Sequence, residues 1–164
     1  MRTVLVALLT ASLVCPLGGV AAQVLEKAAP VPRELQEALT EAHEIGMTRA
    51  RRVESADPTD ADMAARSIGS LPESLDAAVA ALDALAKAVG PEHAAAIESI
   101  RKFQQAARPH VDALGGLKDK PLSASARAHA AAVREQLDLA ESAHQKLMRA
   151  LSAPKPDTPR PAGI

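Results

Sequence analysis

Apolar side chains return every three or four residues along most of this chain, and the pattern is punctuated by a few prolines and glycines. From 33 to about 55, Leu35, Leu39, Ala42, Gly46, Ala50 and Val53 form one helical stripe, entered through Pro32, whose fixed φ suits a first helical turn. Asp57-Pro58 reads as a cap followed by a first-turn proline, and Ser70-Leu71-Pro72-Glu73 as a further helix start with capping-box spacing. Together these signals predict a short helix near 59–68 and a longer one over 71–89, with Leu75, Val79, Leu82, Leu85, Ala86 and Val89 inward. Gly90-Pro91 ends it, the glycine by accepting a left-handed conformation and the proline by breaking the hydrogen-bond ladder. A third helix runs from 91 or 92 to about 114, with Ala96, Ile97, Ile100, Phe103, Ala107, Val111 and Leu114 on one side and Pro109 expected to kink it. Residues 115–122 form a loop. Ser123 or Ser125 then caps a fourth helix that reaches about 151 and turns Val133, Leu137, Ala140, Leu147 and Leu151 inward.

Amphipathic helices joined by short turns bury their faces most simply around one common seam. The expected fold is therefore all-α, an antiparallel four-helix bundle running up-down-up-down, with the short helix as an extra element between helices one and two. The competing architecture treats the tight link at Gly90-Pro91 as a bend, so that helices two and three make one rod in a long hairpin or an intertwined dimer. Composition agrees with helix: 48% of residues are hydrophobic, yet the chain has one Phe and neither Trp nor Tyr, so alanine carries much of the apolar fraction.

The ends read differently. Met1-Arg2-Thr3, the apolar run Val4 to Val14 and the small-residue end Val20-Ala21-Ala22 have the layout of a secretory signal peptide over residues 1–22, cleaved after Ala22, which sends the chain to the periplasm or the cell exterior. Cys15 follows Val14 instead of the small residue that lipid attachment requires, so it belongs to the leader, and the mature chain has no disulfide, thiol nucleophile or thiolate metal site. Cleavage leaves roughly 140 residues and no membrane span, a normal size for one domain. An extended lead-in over 23–32 precedes a bundle over 33–152, and a proline-rich tail over 153–164 is expected to be disordered.

Charge and motifs narrow the function by exclusion. The net charge is −1, without a basic block or stacking aromatics, which argues against nucleic acid. A nucleophile elbow, a phosphate-cradling glycine loop and a paired-histidine zinc-protease motif are all missing, so the chain is read as no enzyme. The leading expectation is an exported non-catalytic protein that binds or scaffolds a protein partner and needs no cofactor. Arg49, Arg51 and Arg52 near the end of helix one are read first as complements to its negative C-terminus, and second as a dock for an acidic surface or anionic lipid.

The alternative is a metal-binding bundle holding copper(I) or zinc. His43 stands four residues before Met47 on helix one, and His144 four before Met148 on helix four, so each pair shares a helix face. His144 and Met148 fall within the apolar stripe, whereas His43 and Met47 fall at its flank and beyond it. Counted from the bundle end that the two helices share, His43 and His144 have similar depth, Met47 is deeper and Met148 shallower. A compact four-ligand site is strained by that offset, and the plainer reading makes Met148 a core filler and His43 and Met47 surface residues. Covalent haem lacks its Cys-x-x-Cys-His motif, and a di-iron site needs two Glu-x-x-His motifs where only Glu141 to His144 fits.

Overall fold

The computed structural model describes residues 31–153. The expected leader and most of the lead-in and tail lie outside the described residues. Four helices make up the rest, α1 (Arg33–Ser55), α2 (Ala61–Ala88), α3 (Ala94–Gly115) and α4 (Ala124–Ser152), with single 3-10 turns at Pro58–Asp60 and Pro91–His93 leading into α2 and α3. No strand occurs among the described residues, and no helix there is long and apolar enough to cross a membrane.

Each helix packs against the next, and α4 closes the ring against α1. The cross-helix pairs fix the directions. As α1 advances from Thr40 to Glu54, its partners on α4 retreat from His144 to Arg134, and as α2 advances from Asp76 to Asp83, its partners on α3 retreat from Arg108 to Arg101. Neighbours are antiparallel, as the short connections require, and the bundle is the expected up-down-up-down form.

The predicted break between residues 68 and 71 is absent, so the short helix and the longer one are a single α2 that passes through Pro72. Proline at 72 forfeits the ladder bond to the Ile68 carbonyl. Ile68, Leu71, Leu75, Ala78, Leu82 and Leu85 nevertheless keep their three-four spacing across the proline, and all are buried, so continuous packing offsets the lost bond. Ser70 does not cap; its hydroxyl donates back to the Arg66 carbonyl at 2.9 Å. Arg49 reaches across from α1 to donate to the Ser70 carbonyl at 2.5 Å and to the Ser74 hydroxyl. Arg49 therefore ties α1 to α2 instead of complementing its own helix end.

Helices two and three are separate elements, and the bent-rod alternative is excluded. Gly90 does not take the left-handed conformation expected of it: it is extended, at φ −73° and ψ 164°, as is Val89 before it. The stop comes from Pro91, which disfavours helical backbone in the preceding residue. α3 continues through Pro109, and Ser123 caps α4 by accepting from the Ala126 amide at 3.1 Å.

The interior falls into two apolar clusters. One, toward the α1 C-terminus, gathers Met47, Val53, Ile68, Leu71, Leu75, Val111, Leu114 and Leu137. The other, toward the α1 N-terminus, gathers Leu39, Leu82, Leu85, Ile97, Ile100 and Leu147. The buried face of α1 is wider than predicted and takes in His43 and Met47, both expected at the flank or surface. Small residues explain this: Ala42, Gly46 and Ala50 let the neighbouring helices approach closely, and a Cβ at Gly46 would stand 2.6 Å from Leu137 Cδ1. Close approach covers the flank of the stripe as well as its centre.

A buried histidine–carboxylate cluster as candidate metal centre

Between α1, α3 and α4 the apolar interior gives way to four polar side chains. His43 is 0%, Gln104 1%, His144 1% and Glu141 8% exposed. Each sits on the three-four spacing of its own helix, among Leu39, Ala42 and Gly46 on α1, Ile100 and Ala107 on α3, and Leu137, Ala140 and Leu147 on α4. The periodicity that buries the leucines buries these groups with them.

Glu141 is the hub. Its Oε2 lies 3.0 Å from His43 Nδ1 and 3.6 Å from His144 Nδ1, while its Oε1 accepts from the Thr40 hydroxyl at 3.3 Å and from Gln145 Nε2 at 3.4 Å. Thr40 Oγ1 is also 3.4 Å from His144 Nδ1. Burial alone would raise the Glu141 carboxyl pKa, but hydrogen bonding from His144 and His43, reinforced by positive charge whenever those rings are protonated, outweighs it and holds the pKa down to about 2. The group is a carboxylate at any physiological pH.

The tautomer of His43 follows from its other neighbour. Gln104 Nε2 donates to the Ala78 carbonyl at 3.0 Å, which fixes the amide orientation, and the same nitrogen lies 3.1 Å from His43 Nε2. An amide nitrogen only donates, so His43 Nε2 accepts and the ring proton is on Nδ1, directed at Glu141. Among the described residues, two buried side-chain nitrogen or oxygen atoms have no hydrogen-bond partner, Gln104 Oε1 and His144 Nε2, and both belong to this cluster. Unsatisfied buried polar atoms are few in folded proteins, and each calls for an explanation.

The donor set consists of residue types that can ligate a divalent metal ion. His43, Glu141 and His144 each present one ligand atom, all within 4.8 Å of one another, and no other group of three or more such donors forms among the described residues. Atoms bound about 2.0–2.1 Å from a tetrahedral zinc ion stand about 3.3 Å apart. The 3.0 and 3.6 Å separations to Glu141 bracket that spacing. A cleft of about 410 Å3 lies alongside, lined by Arg33, Gln36, Glu37, Thr40, Glu41, Glu44, His144 and Met148; Arg33 pairs with Glu37, and the remaining acidic side chains, Glu41 and Glu44, would draw cations toward His144.

Of the four candidate ligands named from the sequence, the structure brings His43 and His144 together, at the equal depth that counting along the helices gives. Met148 lines the cleft beside His144. Met47 packs in the apolar cluster toward the α1 C-terminus and is not among the gathered ligand atoms. Glu141 and Gln104 were missed as site residues. Both carry a readable signal, a polar side chain at a core position of a regular stripe, and Glu141 also begins the Glu-x-x-His motif. Comparisons with protein-family models, with curated proteins and with solved structures find no match, so the bundle and its cluster are read from their own geometry.

Proposed function

We propose that this chain is an exported, non-catalytic helical-bundle protein that binds a divalent transition-metal ion, zinc or copper, through His43, Glu141 and His144. The observation that carries this reading is three ligand atoms gathered within 4.8 Å in a buried site, with His144 also lining a cleft that leads to it. The carboxylate shifts the preference expected from a His/Met set. Copper(I) favours thioether, whereas two imidazoles and a carboxylate suit zinc or copper(II). Three protein ligands leave a fourth position free, and Met148 is the nearest soft donor in the adjoining cleft.

Binding at His43 Nδ1 moves the ring proton to Nε2, facing Gln104. Rotating the Gln104 amide turns its partnerless Oε1 to accept that proton, at the cost of the bond to Ala78, so Gln104 orients a ligand without touching the metal. Competition titration of the mature chain with zinc and with copper tests the reading. Wild type is expected to bind one equivalent tighter than micromolar, and His144→Ala and Glu141→Gln to weaken that step by about tenfold or more. Failure of wild type to bind either ion, or variants that titrate like wild type, overturns it.

A second reading makes the cluster a polar pin that sets the register of α1 against α4. It is favoured by the bonds that already satisfy His43 on both nitrogens without a ligand. Export rests on the leader alone: the mature protein is expected to begin at Gln23, which an intact-mass spectrum of the exported fraction checks.

A further inference from the structure

His110 on α3 and His129 on α4 form a second histidine pair, separate from the buried cluster. Their Nδ1 atoms are 3.1 Å apart, the ring centroids 5.4 Å apart and the ring planes inclined at 43°. At that distance two neutral imidazoles share one proton, with the lone pair of one Nδ1 facing the N–H of the other. Both residues are half-buried on neighbouring antiparallel helices.

Two imidazole nitrogens bound about 2.0–2.1 Å from one ion and subtending roughly 100° stand about 3 Å apart. The observed separation already matches that figure, so an ion could bind both Nδ1 atoms without moving either helix once the proton between them shifts to the Nε2 of its own ring. We propose that His110 and His129 form a second metal site, a two-histidine clamp across the α3–α4 seam for a borderline divalent cation. Imidazole donors suit copper(II), nickel(II) and zinc, and copper(II) heads the affinity series. Among the described residues no third histidine or carboxylate completes a group around this pair. The protein thus supplies two ligands and leaves the other positions to water or an incoming donor. Such a clamp holds its ion less tightly than three buried ligands would and exchanges it more readily. Its existence does not depend on the buried cluster binding anything.

Chelation gives the clamp a distinctive signature, because the second nitrogen binds at a high effective concentration only while the first is present. The probe is copper(II) alone, titrated into the mature chain and followed by calorimetry and electron paramagnetic resonance. His110→Ala and His129→Ala are each expected to weaken the same copper(II) step by about a hundredfold. The double variant is expected to weaken it little further. His129→Gln, which keeps the side chain polar, should reproduce the loss with an unchanged circular dichroism spectrum, and His93→Ala should titrate like wild type. His144→Ala should leave the step in place, which separates it from the buried cluster. The clamp is overturned if the single variants titrate like wild type, if their losses are small and add in the double variant, or if His93→Ala loses as much.

Discussion

Around Leu71 and Leu137 the bundle interior is made of Met, Leu, Ile, Val and Ala side chains together with the small hydroxyls of Ser67 and Ser74, whereas nearer the α1 N-terminus the same four helices also enclose His43, Gln104, Glu141 and His144. Both halves are closed by the same three-four periodicity, and both are fully covered. The first is stabilised by apolar burial throughout; the second is stabilised in the same way by Leu39, Leu82, Leu85, Ile97, Ile100 and Leu147, but not at its polar cluster. In the second, desolvating a carboxylate and three polar side chains costs free energy that the hydrogen bonds among them largely return, leaving a small balance of either sign. Four core positions in that half carry polar side chains where leucine would also fit the spacing, and the two partnerless buried atoms, Gln104 Oε1 and His144 Nε2, lie among them.

Substitutions can break this contrast. The largest effect is expected in the apolar half: Leu71→Ala, which empties a fully buried site, should cost about 2–5 kcal/mol in denaturant unfolding and leave metal affinity intact. In the polar half, Glu141→Ala strands the His43 Nδ1–H and should cost about 1–3 kcal/mol. Replacing His43, Glu141 and His144 together by leucine should instead leave stability unchanged or raise it by about 1–4 kcal/mol, while abolishing metal binding at the cluster. A triple variant that unfolds would favour the register-pin reading.

A third contrast is in acid. The Glu141 carboxyl has an ordinary pKa of 4.5 and is held at about 2 in the folded chain. A folded pKa below the unfolded one means that its contribution is complete above about 4.5 and is lost as the pH falls from there toward 2. Metal-free wild type should therefore lose stability over that window more steeply than Glu141→Gln, as read from urea midpoints at successive pH values. The smallest effect is expected at Gly46. Alanine there gains about 1 kcal/mol of helix propensity, but its Cβ meets buried Leu137 at 2.6 Å, and overpacking costs about 1–3 kcal/mol. Thermal unfolding should show Gly46→Ala unchanged or slightly destabilised, where propensity alone predicts a gain.

Apart from Met47, which was expected at the surface, the apolar half was legible in the sequence because its residues act through one property, hydrophobic spacing. The same spacing mispredicted α2 only where Ser70 and Pro72 imitate a helix start, since a local cap signal competes with packing that extends over seven turns. The polar half was legible in part. His144 falls on its stripe and its depth matches that of His43, so their meeting could be counted out along the helices. The burial of His43 could not, because it depends on how closely Gly46 and Ala42 let the neighbouring helices approach, which is a tertiary property. Glu141 and Gln104 interrupt their stripes with polar atoms, and such interruptions are readable once they are counted as core positions and not discarded as surface.

The proposed function requires His43 and His144 to ligate one metal ion together. Long-range proton–nitrogen NMR of the imidazole rings, recorded as zinc is added to the mature chain, reports on it most directly. Before zinc, His43 should show its proton on Nδ1; at one equivalent, one nitrogen of His43 and one of His144 should move to metal-bound shifts together, with His93 unchanged. If both rings keep their metal-free pattern at saturating zinc, the cluster is a structural pin and the account of this site is wrong.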